Sequence, residues 1–356
     1  MKRIHDIFDE AISVQNLVQA HCKLKKKNDK SRRKAKRFET AFCKNILDLH
    51  FSLKSGKWRM HEYKHTVRTE SGKRREIDYS SDWGDLIVQC ALGQTIGKRL
   101  LKSLIDDTFA GIPGRGIKRA IRRMFRRVRA IPEDSPLYVY KIDMKKFYQS
   151  IDHDCLKAAL RNKIKDKRII ALLDNLIDSY QTGISLDGLV FDSLFMGIPI
   201  GNLMSPILAN FYLNPLDREA KRRGLMYYRY NDDIVALSPS KSELHSFKDE
   251  AHRISAELKL TIKPNEQIYP IERFGVDVMG YVVQRRRILV RRKTERRFRR
   301  NARRFIARPT AHLARSIASQ WGWLKVTKSG SSLFRKCVGC SIENFNSKCK
   351  EILNNG

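Results

Sequence analysis

The run Leu225-Met-Tyr-Tyr-Arg-Tyr-Asn-Asp-Asp-Ile-Val-Ala-Leu-Ser238 sets two apolar, aromatic-rich arms around a polar centre, Asn231-Asp232-Asp233. Aromatic and β-branched residues on both sides of an Asn-Asp pair read as a β-hairpin with a polar tip. Alone, such a tip is an ordinary solvated turn. Here Ile234, Val235, Ala236 and Leu237 bury the hairpin, so its charged tip must face a cleft. A second apolar run, Leu137-Tyr-Val-Tyr-Lys-Ile142, reads as a strand ending at Asp143. Strand ends and hairpin tips can meet on one sheet.

Three carboxylates brought together there repel one another unless cations neutralise them. Oxygen ligands at that density suit Mg²⁺, which takes a few carboxylates plus substrate phosphates. Two such ions can activate a 3′-hydroxyl and stabilise leaving pyrophosphate.

Charge points the same way. The 356 residues carry 72 Lys and Arg against 38 Asp and Glu, a net charge of +34. A polyanion explains that excess best, nucleic acid first and an anionic membrane surface second. A hydrophobic content of 42% allows a packed interior and disfavours global disorder. The seven cysteines, at 22, 43, 90, 155, 337, 340 and 349, are dispersed, which argues for a reducing cytosol and a cytoplasmic protein. The charged start, MKRIHDIFDEAI, does not read as a signal peptide. Ser193 to Leu216 lacks charge over 24 residues, but its glycines, prolines and asparagines favour a buried loop and helix over a membrane span.

Along the chain, residues 1–22 read as one helix, 23–37 as a run of ten Lys or Arg with one Asp, and 38–54 as helical. Residues 58–79 suggest strands around a turn at Ser71-Gly72, and 85–105 an apolar helix. The glycine-rich loop 109–116 precedes a helix over 117–129. Its stripe Ile117, Ile121, Met124 and Val128 backs a face of seven Lys and Arg. Residues 155–180 read as helical. Residues 205–223 read as a helix with Ser205 as N-cap, Pro206 in its first turn and Gly224 past its end. A helix over 241–258 and a second hairpin over 276–290 follow. Residues 285–308 hold 13 Lys or Arg and one Glu, and the remainder reads as basic and helical. No internal repeat or flexible linker stands out. Strands and helices mix without regular alternation, which gives an α+β class.

At this point the residues resemble a family. Tyr140-Lys-Ile-Asp-Met-Lys-Lys-Phe-Tyr-Gln-Ser-Ile-Asp152 is similar to motif A of reverse transcriptases, and Gly197-Ile-Pro-Ile-Gly-Asn-Leu-Met-Ser-Pro206 to their motif B. Tyr230-Asn-Asp-Asp233 resembles their YxDD box, and Gly275-Val-Asp-Val-Met-Gly-Tyr281 the strand pair that grips the primer end. Gly72-Lys-Arg-Arg75 and Asp85–Gln89 resemble fingers motifs, and Gly114-Arg-Gly116 their glycine-rich loop. The matches run in family order from about residue 58 to 330.

The resemblance implies a right-hand polymerase. A basic helical extension (1–57) would precede fingers (58–136), a palm (137–284) interrupted by fingers helices near 155–180, and a basic helical thumb with its tail (285–356). Asp143, Asp232 and Asp233 would bind two Mg²⁺ ions, with the Met144 carbonyl as a further ligand. Lys73 and Arg75 would hold the incoming dNTP triphosphate; apart from the motif they read as a solvated turn. Tyr148 would stack under the sugar and exclude a 2′-hydroxyl, against its plain reading as a core aromatic. Gly201 and Asn202 would sit against the template–dNTP pair, and Arg115 would touch the template strand. Arg296, Arg297, Arg300 and Arg304 would track the primer–template backbone, since an A-like heteroduplex is read mainly through phosphates and 2′-hydroxyls. Trp321 and Trp323 fit a small thumb core.

There are departures. Where many relatives carry a lysine after the stretch equivalent to Leu258-Lys-Leu260, this chain has Glu266, with Lys263 near but out of register. Leu86 replaces a frequent arginine. Cys337-Val-Gly-Cys340 with Cys349 hints at zinc, without an obvious fourth ligand. The layout leaves no length for a ribonuclease H or endonuclease domain. It resembles compact prokaryotic enzymes of antiphage defence, which work with a non-coding RNA and other factors, and those of diversity-generating retroelements. Ser205-Pro206, where the second group has Ser-Gln, and the basic extension tilt the reading towards defence. The rival class is a non-catalytic RNA-binding ribonucleoprotein scaffold, which would gain nothing from three acids in its groove. Expected partners are a template or non-coding RNA, a DNA product, dNTPs and an accessory protein, with no membrane.

Overall fold

The computed structural model describes residues 3–354 apart from 27–28, 71–72, 181–184, 187–188 and 191–194; its side-chain detail also excludes 29–31, 70, 73, 75, 185–186, 189–190, 348 and 350–354. The N-terminal pattern breaks where one helix was expected. α1 (Phe8–Ile12) and α2 (Val14–Lys25) part at Ser13, whose backbone turns extended and whose hydroxyl accepts the Asn16 N–H at 3.2 Å. α3 (Asp29–Glu39) covers most of the basic run, and α4 (Phe42–Lys54) follows. β1 (Tyr63–Glu70) and β2 (Lys73–Ser80) form an antiparallel hairpin; its expected Ser71-Gly72 turn lies outside the described residues.

α5 (Trp83–Leu92), capped by Asp82, passes through a π-helical turn, Gly93–Gly97, into α6 (Lys98–Leu101). α7 (Ile117–Arg129) has the bounds its stripe dictates. β3 (Tyr138–Asp143) is followed by a 3₁₀ turn at Phe147–Ser150. The single helix expected over 155–180 is two, α8 (His153–Lys163) and α9 (Lys167–Asp178). Asp166 caps α9 and also accepts the N–H groups of Ile7 and Phe8, at 3.2 and 3.1 Å. Ile4 joins the same place, its N–H donating to the Lys163 carbonyl at 2.9 Å and its carbonyl accepting from Lys165 at 2.7 Å. The short strands β4 (Ser185–Leu186) and β5 (Leu189–Val190) pair with each other.

Residues 205–223 are also two helices, α10 (Ser205–Tyr212) and α11 (Asn214–Arg222). Pro215 lacks an N–H and its ring crowds the carbonyl four residues back, so the helix restarts at Leu213. Ser205 is the first helical residue rather than the cap; Met204 holds the cap position. Gly224 ends α11 at φ +70°. β6 (Met226–Tyr230) and β7 (Asp233–Ser238) are the expected hairpin, and α12 (Lys241–Glu257) the expected helix. β8 (Gln267–Pro270) and α13 (Ile271–Phe274) lead to β9 (Val276–Val278), β10 (Tyr281–Val283) and β11 (Ile288–Val290). These last three form a meander where a two-stranded hairpin was expected. α14 (Arg292–Ala307), α15 (Ala311–Leu324), α16 (Gly330–Val338) and α17 (Ile342–Asn354) complete the chain.

The central antiparallel sheet has the order β6-β7-β3-β8. Alternation along its strands divides two cores. Tyr140, Ile142, Tyr227, Ile234 and Ala236 face α10, α12 and the N-terminal helices. Val139, Tyr228, Val235, Leu237 and Tyr269 share the other core with α7, the meander and the C-terminal helices. Fully burying each large apolar side chain contributes about 1.5–3 kcal/mol. The meander rests on α15 closely: a Cβ at Gly280 would lie 2.6 Å from the Trp323 ring. Trp321 meets Phe334 edge-on at 5.1 Å, so both tryptophans serve packing. No helix among the described residues is long and apolar enough to cross a membrane.

Candidate active site

Asp143 ends β3 and Asp233 begins β7, and the ladder pairs them directly. Asp232 sits beside them in the hairpin tip, where Asn231 takes a left-handed φ of +56°. Asp232 lines a cavity of about 630 Å³ together with Arg74, Glu76, Met144, Tyr148, Ile200 and Lys263, among others. Burial, and then the charges of Asp143 and Asp233, push the Asp232 carboxyl above its ordinary pKa. Burial also raises Asp233, against the pull of Lys141, the Met279 N–H and Arg291. Such crowding is the electrostatic signature of acids that need added positive charge.

Cations already lean in. Lys263 Nζ lies 2.6 Å from Asp143 Oδ2, and the Lys263 N–H donates to the Asp143 carbonyl at 2.9 Å. Lys141 Nζ is 4.0 Å from Asp233 Oδ1 and donates to the Asp277 carbonyl at 2.7 Å. The Met279 N–H donates to Asp233 Oδ2 at 3.3 Å, which ties the meander to the hairpin tip. Asp143, Asp232 and Asp233 stand at adjoining positions, each half-buried and Asp232 in the cavity wall, and carboxylate oxygens are the ligand type that hard divalent cations take.

Beneath the tip, Arg229 is fully buried and donates through Nε and Nη2 to both oxygens of buried Asp217, at 2.7 and 2.6 Å. Its Nη1 also donates to Asn210 Oδ1 at 2.9 Å and to the Asn231 carbonyl at 3.3 Å. Thr108 and Tyr227 fill the remaining acceptor sites of Asp217.

The other expected residues divide. Tyr148 lines the cavity, with its hydroxyl pushed up to about 12, mainly by burial and then by the Asp232 charge. Its carbonyl accepts the Ile198 N–H at 2.8 Å, joining it to the 197–206 loop. Met144 lines the same cavity with its side chain buried. Gly201, at φ +122°, lies against β2: a Cβ there would come 3.1 Å from Ile77 and 3.2 Å from the Asp78 carbonyl. The Asn202 amide is engaged by the β1–β2 hairpin, donating to the Tyr63 hydroxyl at 3.1 Å and accepting the Ser80 N–H at 3.3 Å. Lys73 and Arg75 belong to β2, with side chains outside those described; Arg74 between them faces the cavity.

Arg115 has a local task. It donates to the Ile105 and Thr108 carbonyls at 2.5 and 3.3 Å and pairs with Asp106 at 3.0 Å. Arg296, Arg297, Arg300 and Arg304 are exposed along α14, opposite its buried Phe298, Ala302 and Phe305. Glu266 is drawn away from the carboxylates, accepting from Tyr140, Lys248 and His252 at 2.5, 2.9 and 2.7 Å.

In the basic run, Lys25 pairs with Glu39 at 2.6 Å, and Lys34 donates to the Ser81 carbonyl at 3.0 Å. The sequence alone did not mark Arg229 and Asp217, which pair across the consecutive elements α11 and β6, or Arg74, whose cavity is built from several segments. Cys337, Cys340 and Cys349 do not form a three-ligand cluster. Among the described residues that geometry occurs at His61, Asp82 and Asp85. There it is explained locally: Asp82 caps α5, and buried Asp85 accepts the His61 N–H and ring at 3.0 and 3.1 Å.

Known proteins are similar to this chain. Residues 89–267, half of the chain, match the family model described as reverse transcriptase (RNA-dependent DNA polymerase). An uncharacterized 91 kDa protein in the cob intron of Schizosaccharomyces pombe is 32% identical over 195 residues, which cover 53% of this chain and 22% of that one. The group II intron-encoded protein LtrA of Lactococcus lactis subsp. cremoris is 31% identical over 117 residues, covering 33% of this chain and 18% of that one. The chain thus spans about a fifth of the length of these relatives. Apo telomerase from Candida tropicalis superposes with a TM-score of 0.55 at 12% identity, over 82% of this chain and 58% of that one, a likeness of right-hand fold. With paired acids at the end of a β3–β7 ladder and a family match centred on them, the chain belongs to the reverse transcriptase family.

Proposed function

We propose that the chain is an RNA-templated DNA polymerase that extends a 3′-hydroxyl with dNTPs. The observation that carries this is the pairing of Asp143 with Asp233 in the β3–β7 ladder beside Asp232, which lines a polar cavity and whose carboxyl is raised first by burial and then by its acidic neighbours. In this reading residues 58–136 act as fingers, 137–284 as palm and 285–356 as thumb.

Asp143, Asp232 and Asp233 would hold two Mg²⁺ ions, with the Met144 carbonyl beside them. When bound, the ions supply activation of the attacking hydroxyl and charge stabilisation of the departing pyrophosphate. The chain's own groups do the rest. Lys263 holds Asp143 in place and sets an ammonium beside the reacting phosphates. Arg74 on the cavity wall, with Lys73 and Arg75 on the same strand, binds the triphosphate. Tyr148 closes the cavity under the sugar and excludes a 2′-hydroxyl. Gly201 lets the 197–206 loop approach β2 closely enough to form one wall of the nucleotide site, and Asn202 holds that approach. The exposed arginines of α14 follow the duplex backbone.

The basic run 23–37 supports a structured RNA partner, and with Pro206 it favours a non-coding RNA of antiphage defence over a diversity-generating retroelement. The intron-encoded relatives suggest a third setting with a structured RNA in it. Mg²⁺-dependent dNTP incorporation on a primed RNA template tests the activity. Sequencing RNA that co-purifies with the chain separates the settings. A chain that binds RNA yet incorporates no nucleotide would be a scaffold, and the polymerase reading would fail.

A further inference from the structure

α7 carries seven Lys and Arg and no acid in 13 residues. Its apolar side, Ala120, Ile121, Met124 and Val128, is buried in the core it shares with the sheet and the meander. The basic residues then split by position. Arg123 and Arg127 are half-buried and paired with Asp107, at 2.6 and 3.3 Å. Lys118, Arg119, Arg122, Arg126 and Arg129 are exposed, and among the described residues none of them makes an ion pair. They form one stripe on the side turned away from the core, about 16 Å long at 1.5 Å per residue.

Phe125 lies between them, and with Lys118, Arg119, Arg122 and Arg126 it lines a groove of about 500 Å³. That groove shares no residue with the cavity at the carboxylates. At its end two cations meet. Lys118 abuts Lys325, which follows α15, and this neighbour pushes Lys118 below its ordinary pKa. An anion between two such like charges would relieve their repulsion. Unpaired guanidinium and ammonium groups in a row, over a partly apolar groove, suit successive phosphates rather than a single small ion.

We propose that the outer face of α7, with Lys325, holds the phosphate backbone of a nucleic-acid duplex outside the catalytic cleft. Phosphates seat between Lys118 and Lys325 and along Arg122, Arg126 and Arg129. The surface would let the protein grip a folded region of its RNA while a primer–template occupies the cleft. It rests on the polymerase reading only for that second role.

The test is filter binding across a salt series, on the full chain with its cleft saturated by a short RNA–DNA primer–template. The probes are a blunt RNA duplex and a DNA duplex of the same sequence. The variant Lys118→Gln/Arg122→Gln/Arg126→Gln should bind at least about tenfold more weakly at low salt, with a log–log salt slope shallower by about two to three. Arg122→Lys/Arg126→Lys should keep wild-type binding, since charge is retained. Primer extension on the short substrate should stay at the wild-type rate. Loss on the RNA probe alone marks an A-form partner, and loss on both marks a backbone site indifferent to the sugar; each supports the proposal. Unchanged affinity and slope on both probes overturn it. Parallel loss of primer extension also overturns it, because the stripe would then belong to the cleft. If wild-type extension is itself absent, the polymerase reading fails while the binding result still decides this one.

Discussion

The Arg229 guanidinium grips both oxygens of the Asp217 carboxylate, with both side chains wholly buried directly beneath the acidic hairpin tip. A further donor of Arg229 reaches the Asn231 carbonyl, so the left-handed turn that presents Asp232 and Asp233 is pinned from below. Removing one partner of such a pair strands a charge in the interior, at a cost of about 3–5 kcal/mol. Asp217→Asn should therefore lower the thermal midpoint markedly. At temperatures where the variant stays folded, single-nucleotide incorporation should fall through kcat more than through KM. A variant with wild-type midpoint and rate would leave the pair without a role at the tip.

The Asp232 carboxyl feels the charges of both Asp143 and Asp233. Asp232→Ala should abolish polymerisation, by at least about 10²–10³-fold, because lost charge stabilisation acts on the transition state. Affinity for a primed RNA should stay near wild type, since no phosphate contact is removed. Primer extension beside filter binding measures both, and more than a trace of activity would sink the metal assignment.

Tyr148 walls the cavity between the 3₁₀ turn and the 197–206 loop. Truncation to alanine opens room where a ribose 2′-hydroxyl would collide. Tyr148→Ala should raise rNTP use relative to dNTP by about 10–100-fold, in the range that pocket-size changes give. Competition between labelled rNTP and dNTP reads the ratio; an unchanged ratio would place the gate elsewhere.

Lys263 is the nearest cation to Asp143. Lys263→Leu should slow incorporation by about 10²–10⁴-fold, a typical share for a positioned acid, while Glu266→Gln should leave the rate largely intact. Glu266 is committed to Tyr140, Lys248 and His252 instead. Single-turnover kinetics of the two variants separate the roles; the reverse ranking would place the proton donor at Glu266 instead of Lys263.

The basic segments should differ in what they hold. Neutralising Arg296, Arg297, Arg300 and Arg304 should shorten products on any template. Neutralising Lys26, Arg33, Lys36 and Arg37 should instead weaken capture of the co-purified RNA and spare a short primer–template. Product-length distributions and salt-dependent binding are the readouts. Wild-type affinity and salt slope in the second variant would exclude a partner-RNA role for residues 23–37.

The hairpin, β3 and α7 were legible because each carries its signal within a dozen residues: apolar, aromatic-rich arms for β6–β7, and a 3.6 period for Ile117, Ile121, Met124 and Val128. The meeting of Asp143 with Asp233 was legible only through an ordered set of motifs, since register between distant strands leaves no local trace. Helix ends were read less well. Apolar periodicity continues across Ser13 and across Leu213, and the breaks come from one cap and one proline ring. Side-chain partners across elements were invisible. Nothing near Asn202 announces the Tyr63 hydroxyl, and nothing near Arg229 singles out Asp217 among the acids of α11.

The N-terminal strap has a consequence for synthesis. Ile4, Ile7 and Phe8 are buried, and their backbone partners are Lys163, Lys165 and Asp166, some 158 or more residues later. A ribosome adding about 5–20 residues per second needs roughly 8–32 s to produce that partner. Throughout that interval these apolar side chains emerge ahead of the surface that will cover them. These residues are thus made well before the surface that covers them exists, and the nascent chain would be open to chaperones or to misassociation during those seconds.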